Sequence, residues 1–304
     1  MMTYASGAAF RRALEDRQRV QSLQTGVPLV RLRKLVVFDR FLARLTHDRP
    51  DAWVVKGGFA LQLRLGDRAR TTKDIDVLLV TPAANLHQVI VRAALQDLGD
   101  WFQFEVERPS EDLGALEGGG VRLRVVGLLD GRRFETFHID VGQGETLLEP
   151  VDMLRAPALL AFAGIPPTEI PCFPLPQQVA EKVHAYTRPH PSGQSSRVKD
   201  LVDILLIARL GPIDARALRQ ALEATFAGRG THALPSYLPD PPSTWSTPFR
   251  RLAGEVGVEF RTLGDAGEAA RRFLDPVLSG EAAGTWDPVG WSWKTQAGTG
   301  DPPE

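Results

Sequence analysis

The sequence predicts an α+β fold. Three observations carry this. Helical segments open the chain, strand-like runs cluster before residue 150, and helical segments dominate after it. Strands grouped in this way argue against a regular βαβ repeat.

Residues 8–24 and 29–47 read as helices; Leu32, Leu35, Val36, Phe38, Leu42 and Leu45 give the second a buried face at a three-to-four spacing. Residues 51–56 are short, apolar and extended, and Gly57 and Gly58 break the run. Phe59 to Leu65 follow as a short helix or turn. Residues 74–80 alternate as a strand with Ile75, Val77 and Leu79 on one side, ended by Pro82. Residues 83–97 fit an amphipathic helix. Residues 102–107, 121–128 and 134–141 are strand-like, punctuated by Gly118 to Gly120 and by Asp130-Gly131, a hairpin signal.

Pro157, Pro166, Pro167, Pro171, Pro174 and Pro176 mark connecting loops. Helices then follow at about 176–187, 198–209, 213–226 and 264–279, with 228–247 a long loop rich in Pro, Ser and Thr. Pro189 to Ser196 read as a mobile flap. The expected division is a core at 1–150, a helical domain at 151–280 and a tail at 281–304, partly docked through Trp286, Trp291 and Trp293.

Composition bounds the function. The chain has 304 residues, a net charge of −1 and one cysteine, Cys172, which excludes an internal disulfide framework and a cysteine-rich zinc site. The longest apolar run, Ala158 to Ile165, is too short to span a bilayer, and residues 1–12 lack the apolar core of a secretory signal. The expectation is a cytoplasmic protein with no membrane partner. Residues 1–70 carry 14 Lys and Arg against 6 Asp and Glu, which favours a polyanionic partner such as a nucleotide or RNA. Solvated basic helix faces would give the same count.

Asp74-Ile-Asp76 is the centre of the functional argument. Strand side chains alternate faces, so the two carboxylates project to one side, about 7 Å apart. They repel unless water screens them or a divalent cation lies between, and Mg²⁺ favours few carboxylates plus phosphate oxygens. Gly57 and Gly58 allow close backbone approach to phosphate. Arg64, Arg68, Arg70 and Lys73 form a basic run suited to the same group. Asp140 lies in another strand; if that strand neighbours the first, three carboxylates converge, and His138 shares its face. In the helical half, Asp200 and Asp203 share a helix face, and Lys199 is spaced to pair with Asp203. The plainer reading of these is surface ion pairs. Cys172, in a proline-rich loop, reads as packed.

Four stretches in this order, VVKGGFAL at 54–61, RTTKDID at 70–76, EKVHA at 181–185 and RVKDLVD at 197–203, resemble the AbiEii/AbiGii toxin family. That family includes the MenT toxins and belongs to the DNA polymerase β-like nucleotidyltransferase superfamily. The resemblance covers roughly residues 30–210. It implies a nucleotidyltransferase core of mixed sheet and helices, followed by a helical domain. It implies that Asp74 and Asp76 hold Mg²⁺, with Asp140 as third ligand, that Lys182 contacts nucleotide phosphates and that Asp203 is needed for activity. Gly57, Gly58, Arg70, Thr72, Lys73, Arg197 and Asp200 are the candidate nucleotide-binding residues. The implied substrates are an NTP and the 3′ acceptor end of tRNA, and the implied partner is a cognate antitoxin. Where the superfamily carries Gly-Ser, this chain carries Gly57-Gly58. The alternatives are a non-catalytic nucleotide-binding regulator, nucleotidyl transfer onto a protein, and a glycosyltransferase using its Asp-x-Asp pair.

Overall fold

The computed structural model describes residues 4–108, 115–116, 120–189 and 197–295. The turn at Gly118 and Gly119, the flap at 190–196 and the tail beyond 295 lie outside the described residues. The chain divides into two compact units, one of residues 1–67, 71–147 and 151–173, the other of 68–70, 148–150 and 174–304.

In the first unit, helices α1 (Gly7–Thr25) and α2 (Leu29–Asp48) precede β1 (Trp53–Lys56), α3 (Gly57–Leu65) and β2 (Asp74–Leu79). Then come α4 (Leu86–Ala94), β3 (Phe102–Val106), β4 (Ala115–Leu116), β5 (Gly120–Leu129) and β6 (Arg132–Gln143). Two strands, β7 (Asp152–Arg155) and β8 (Glu169–Cys172), occupy the proline-rich stretch expected to be loop. Their short runs carry too few apolar residues to stand out from the prolines around them. The sheet runs β3-β5-β6-β2-β1-β8-β7, with β4 added on β5. The β2–β6 and β1–β8 pairs are parallel and the others antiparallel. The β5–β6 hairpin turns on Asp130 and Gly131, at φ of 55° and 66°, as a primed turn requires.

Alternation decides which face of β2 does what. Ile75, Val77 and Leu79 are fully buried in the core with Phe38, Phe59 and Phe137. Asp74 and Asp76 take the other face, where only Leu78 is buried, against Val54 and Phe173. Helix α2 backs this core and is anchored by Arg44, wholly buried, whose guanidinium donates two bonds to Asp100 and one to the Phe102 carbonyl. Several of the arginines that make residues 1–70 basic are likewise engaged inside the fold. Arg31 donates to the Gly66 carbonyl, Arg11 to the carbonyls of Leu129, Arg132 and Arg133, and Arg40 to Asp39 and Thr168.

The second unit is helical: α5 (Leu175–Thr187), α6 (Val198–Leu210), α7 (Ala215–Arg229), α8 (Ser246–Val256) and α9 (Leu263–Leu278). Helix α8 is an addition to the expected set; it buries Phe249, Ala253 and Val256, spaced four and three apart, on one face. A hairpin of β9 (Thr285–Asp287) and β10 (Ser292–Lys294) follows. Its three tryptophans pack against the helices of this unit. Trp286, Trp291 and Trp293 donate their indole N–H groups to the carbonyls of Ala208, Ala269 and Phe273 at 2.8, 3.0 and 2.9 Å. Among the described residues no helix is long and apolar enough to cross a membrane.

Candidate active site

The acidic face of β2 gains its third carboxylate from β6. In the parallel register Asp76 stands beside Asp140 and Asp74 beside His138. On the far side of β6, Arg122 of β5 lies opposite Asp140; on the far side of β2, Lys56 of β1 lies opposite Asp76. One row across four strands therefore reads Arg122, Asp140, Asp76, Lys56: two acids flanked by two cations. Arg122 ties the rows together, donating to Asp140 Oδ2 at 3.2 Å and to Asp74 Oδ2 at 2.9 Å. His138 Nδ1 lies 3.3 Å from Asp74 Oδ1. Lys56 is bound to both oxygens of Glu145.

Asp140 feels this crowding. Burial, then the neighbouring Asp76, pushes its carboxyl up to about 6, with Arg122 and Lys56 pulling the other way. Its Oδ1 is buried with no hydrogen-bond partner.

Gly57 opens α3 directly behind β1, at φ of 63°. A Cβ there would overlap the Asp76 carboxylate. The glycine is thus required twice, for its left-handed backbone and for the space it leaves the acid.

Among the described residues, no three His, Cys, Asp or Glu side chains converge closely enough to hold one metal ion. The donor chemistry nonetheless fits Mg²⁺. That ion takes one or two carboxylates and fills its shell with water and phosphate oxygens. The face supplies hard oxygen donors, a mutual repulsion that a cation relieves, and a buried oxygen without a partner.

The second unit holds a separate charge cluster. Lys182 of α5 and Asp203 of α6 pair at 2.7 Å, both buried, and Lys182 also reaches Asp200 at 3.1 Å. Arg70 grips both oxygens of Asp203 at 3.0 Å. Arg197 stands 3.8 Å from Asp200. Burial alone would discharge Lys182 and Asp203, but each other's charge, with Asp200 and Arg70 beside them, more than reverses it. Lys182 is held above the ordinary lysine value and Asp203 below the ordinary carboxylate value. Lys199 is lowered by burial and by the cations Arg70, Lys182 and Arg197 around it. Four cations thus face two carboxylates.

The structure gathers Asp74, Asp76, Asp140 and Gly57 in the first unit, and Arg70, Lys182, Arg197, Asp200 and Asp203 in the second. Gly58 follows Gly57 in the first turn of α3. Thr72 is buried and donates to the Asp74 carbonyl, so its hydroxyl shapes the entry to β2. Lys73 is exposed. Two expectations are corrected. Asp200 and Asp203 are not surface ion pairs, and the cations bound to Asp203 are Lys182 and Arg70 instead of Lys199, because the acid face of α6 turns inward. Cys172 lies in strand β8, where burial pushes its thiol up to about 12.

Arg122, Lys56 and Glu145 are the neighbours that sequence reasoning missed. A strand arginine carries no local signal, and only the β5–β6 register brings it opposite Asp140. Two cavities of the second unit, of about 830 and 520 Å³, are lined by none of the candidate residues.

With this geometry in hand, comparisons with known proteins add the family. The chain is similar in fold to MenT4, a nucleotidyltransferase toxin from Mycobacterium tuberculosis H37Rv, with 17% identity, a TM-score of 0.51, and coverage of 89% of this chain and 98% of that one. Weaker likenesses reach JHP933 from Helicobacter pylori, at 14% identity and a TM-score of 0.41, covering 80% of this chain and 94% of that one. A putative nucleotidyltransferase from H. pylori gives 14% and 0.42, over 80% and 97%. No curated protein sequence matches significantly. The family model for the nucleotidyl transferase AbiEii toxin of type IV toxin–antitoxin systems matches residues 40–295. The chain therefore belongs to the AbiEii family of nucleotidyltransferase toxins.

Proposed function

We propose that this toxin transfers a nucleoside monophosphate from an NTP to the 3′ acceptor end of tRNA, with Mg²⁺ held by Asp74 and Asp76, and that a cognate antitoxin restrains it. The observation that carries the reading is the register of β2 on β6, which sets Asp76 beside Asp140 on the face that also bears Asp74. Bound there, Mg²⁺ would neutralise the phosphates and lower the barrier to deprotonating the attacking hydroxyl.

The chain's own residues do the rest. Asp140, carrying the unpartnered oxygen, completes the ligand set or accepts the hydroxyl proton. Gly57 keeps the Asp76 carboxylate uncrowded. Arg70, Lys182, Arg197 and Lys199 form a field with more positive than negative charge, which favours a triphosphate and the pyrophosphate that leaves. Asp203 and Asp200 hold Lys182 charged and Arg70 in one orientation. Lys182 is largely buried against these acids, so it would act as a fixed positive charge. The salt dependence expected of RNA binding would come from those basic residues that remain on the surface.

The test is incubation of purified protein with Mg²⁺, each α-labelled NTP in turn and total cellular RNA. Label migrating with tRNA supports the reading. Label on protein would favour transfer onto a protein hydroxyl, and nucleotide binding without label transfer would favour a non-catalytic regulator.

A further inference from the structure

The carboxylate face carries a cation of its own. The Arg122 guanidinium spans from Asp140 Oδ2 to Asp74 Oδ2, and His138 lies against the other oxygen of Asp74. Both oxygens of Asp74 are therefore engaged. A divalent ion using Asp74 would meet oxygens already engaged by the guanidinium and by His138, and at Asp140 it would share with the guanidinium a carboxylate whose Oδ1 alone is unpartnered.

We propose that Arg122 is an internal cation that holds Asp74 and Asp140 together in the metal-free protein and is displaced when the divalent ion loads. The inference rests on the metal role given above to these carboxylates. Arg122 suits such a part because its side chain is 33% exposed and can swing toward water without opening the core. Arg44, wholly buried with its guanidinium bonded to Asp100 and to a backbone carbonyl, shows what a purely structural arginine looks like in the same unit. The guanidinium is singly charged and delocalised, whereas the divalent ion is compact and doubly charged. The exchange therefore favours the metal above a threshold concentration that Arg122 sets. Removing the guanidinium leaves two carboxylates repelling each other with only Lys56 and His138 nearby, so a bound metal gains more from relieving that repulsion.

The experiment is Mn²⁺ binding without nucleotide, followed by electron paramagnetic resonance, on the wild-type protein, Arg122→Gln and Arg122→Lys. Loss of two partly exposed ion pairs should tighten Mn²⁺ binding to Arg122→Gln about five- to tenfold. Arg122→Lys should fall between it and wild type. A merely structural arginine would loosen the site when removed, so unchanged or weakened affinity in folded Arg122→Gln overturns the proposal. If Arg122→Gln does not fold, the wild-type arginine side-chain NMR spectrum decides. Mg²⁺ should release one guanidinium, absent from the Arg122→Lys spectrum, from hindered to free rotation, and no such change overturns the proposal. Absence of Mn²⁺ binding to every form would overturn the metal reading itself. Wild-type binding that Arg122→Gln leaves unaltered would overturn the internal cation alone.

Discussion

Asp76 and Asp140 are partners in a parallel ladder, so two carboxylates lie side by side on adjacent strands with Arg122 and Lys56 at the outer ends of their row. A sheet accepts such a pair only where its charge is offset. The outer cations do part of this; burial first, and the neighbouring Asp76 second, keep the Asp140 carboxyl raised. Replacing Asp76 with Asn should relieve the repulsion. The variant should fold at least as well as wild type without metal, by thermal unfolding, while losing nucleotidyl transfer by about 100-fold or more. A folded Asp76→Asn with wild-type transfer would remove Asp76 from the chemistry.

Gly57 makes room for that acid. Gly57→Ala should cost about 1–3 kcal/mol for a strained backbone at positive φ. It should also displace the Asp76 carboxylate, so activity should fall more than stability explains. Chemical denaturation and transfer assays on one preparation check this; equal and small losses would show that the close approach is relieved elsewhere.

How much of this was legible in the sequence follows from where each signal resides. Helix α2 and strand β2 announce themselves through periodicity, and the alternation in 74–79 puts Asp74 and Asp76 on one face. The family was legible from the order of four motifs, and the family match bears it out. What escaped depends on long-range pairing. Strands β7 and β8 are four residues each and join the sheet only through β1. Arg122 is an ordinary strand residue until β5 pairs with β6. Asp203 looked like a surface acid because Lys199 is the cation one turn away in sequence; its bound partners, Arg70 and Lys182, come from elsewhere in the chain.

The buried Lys182–Asp203 pair dictates a stability profile in pH. Asp203 sits below its ordinary value when folded, so its contribution is present above about pH 4 and is lost as pH falls through the folded value. Lys182 sits above its ordinary value, so its contribution is present below about pH 10.4 and is lost as pH rises through the folded value. Asp203→Asn should flatten the acid limb in urea titrations across that window. Asp203→Ala, which leaves Lys182 and Arg70 without their shared carboxylate, should cost about 3–5 kcal/mol. An acid limb identical in wild type and Asp203→Asn would contradict the pairing.

Cys172, wholly buried in β8 with a thiol pushed up to about 12, should resist alkylation at neutral pH until the first unit opens. Mass spectrometry after iodoacetamide, with and without urea, checks this. Rapid labelling of native protein would place β8 elsewhere.

Trp286 is fully buried, packs on Phe273 and donates to the Ala208 carbonyl. Trp286→Ala should destabilise the second unit by about 3–5 kcal/mol. Differential scanning calorimetry reads the loss directly, and an unchanged melting profile would mean that the β9–β10 hairpin adds nothing.

The most direct measurement is pyrophosphate release from an NTP in the presence of RNA and Mg²⁺, compared between wild type and folded Asp76→Asn. Release that tracks label on RNA, stops on chelation and is absent from Asp76→Asn is the predicted result. Release that persists in Asp76→Asn, or that continues with the divalent ion removed, would contradict the account.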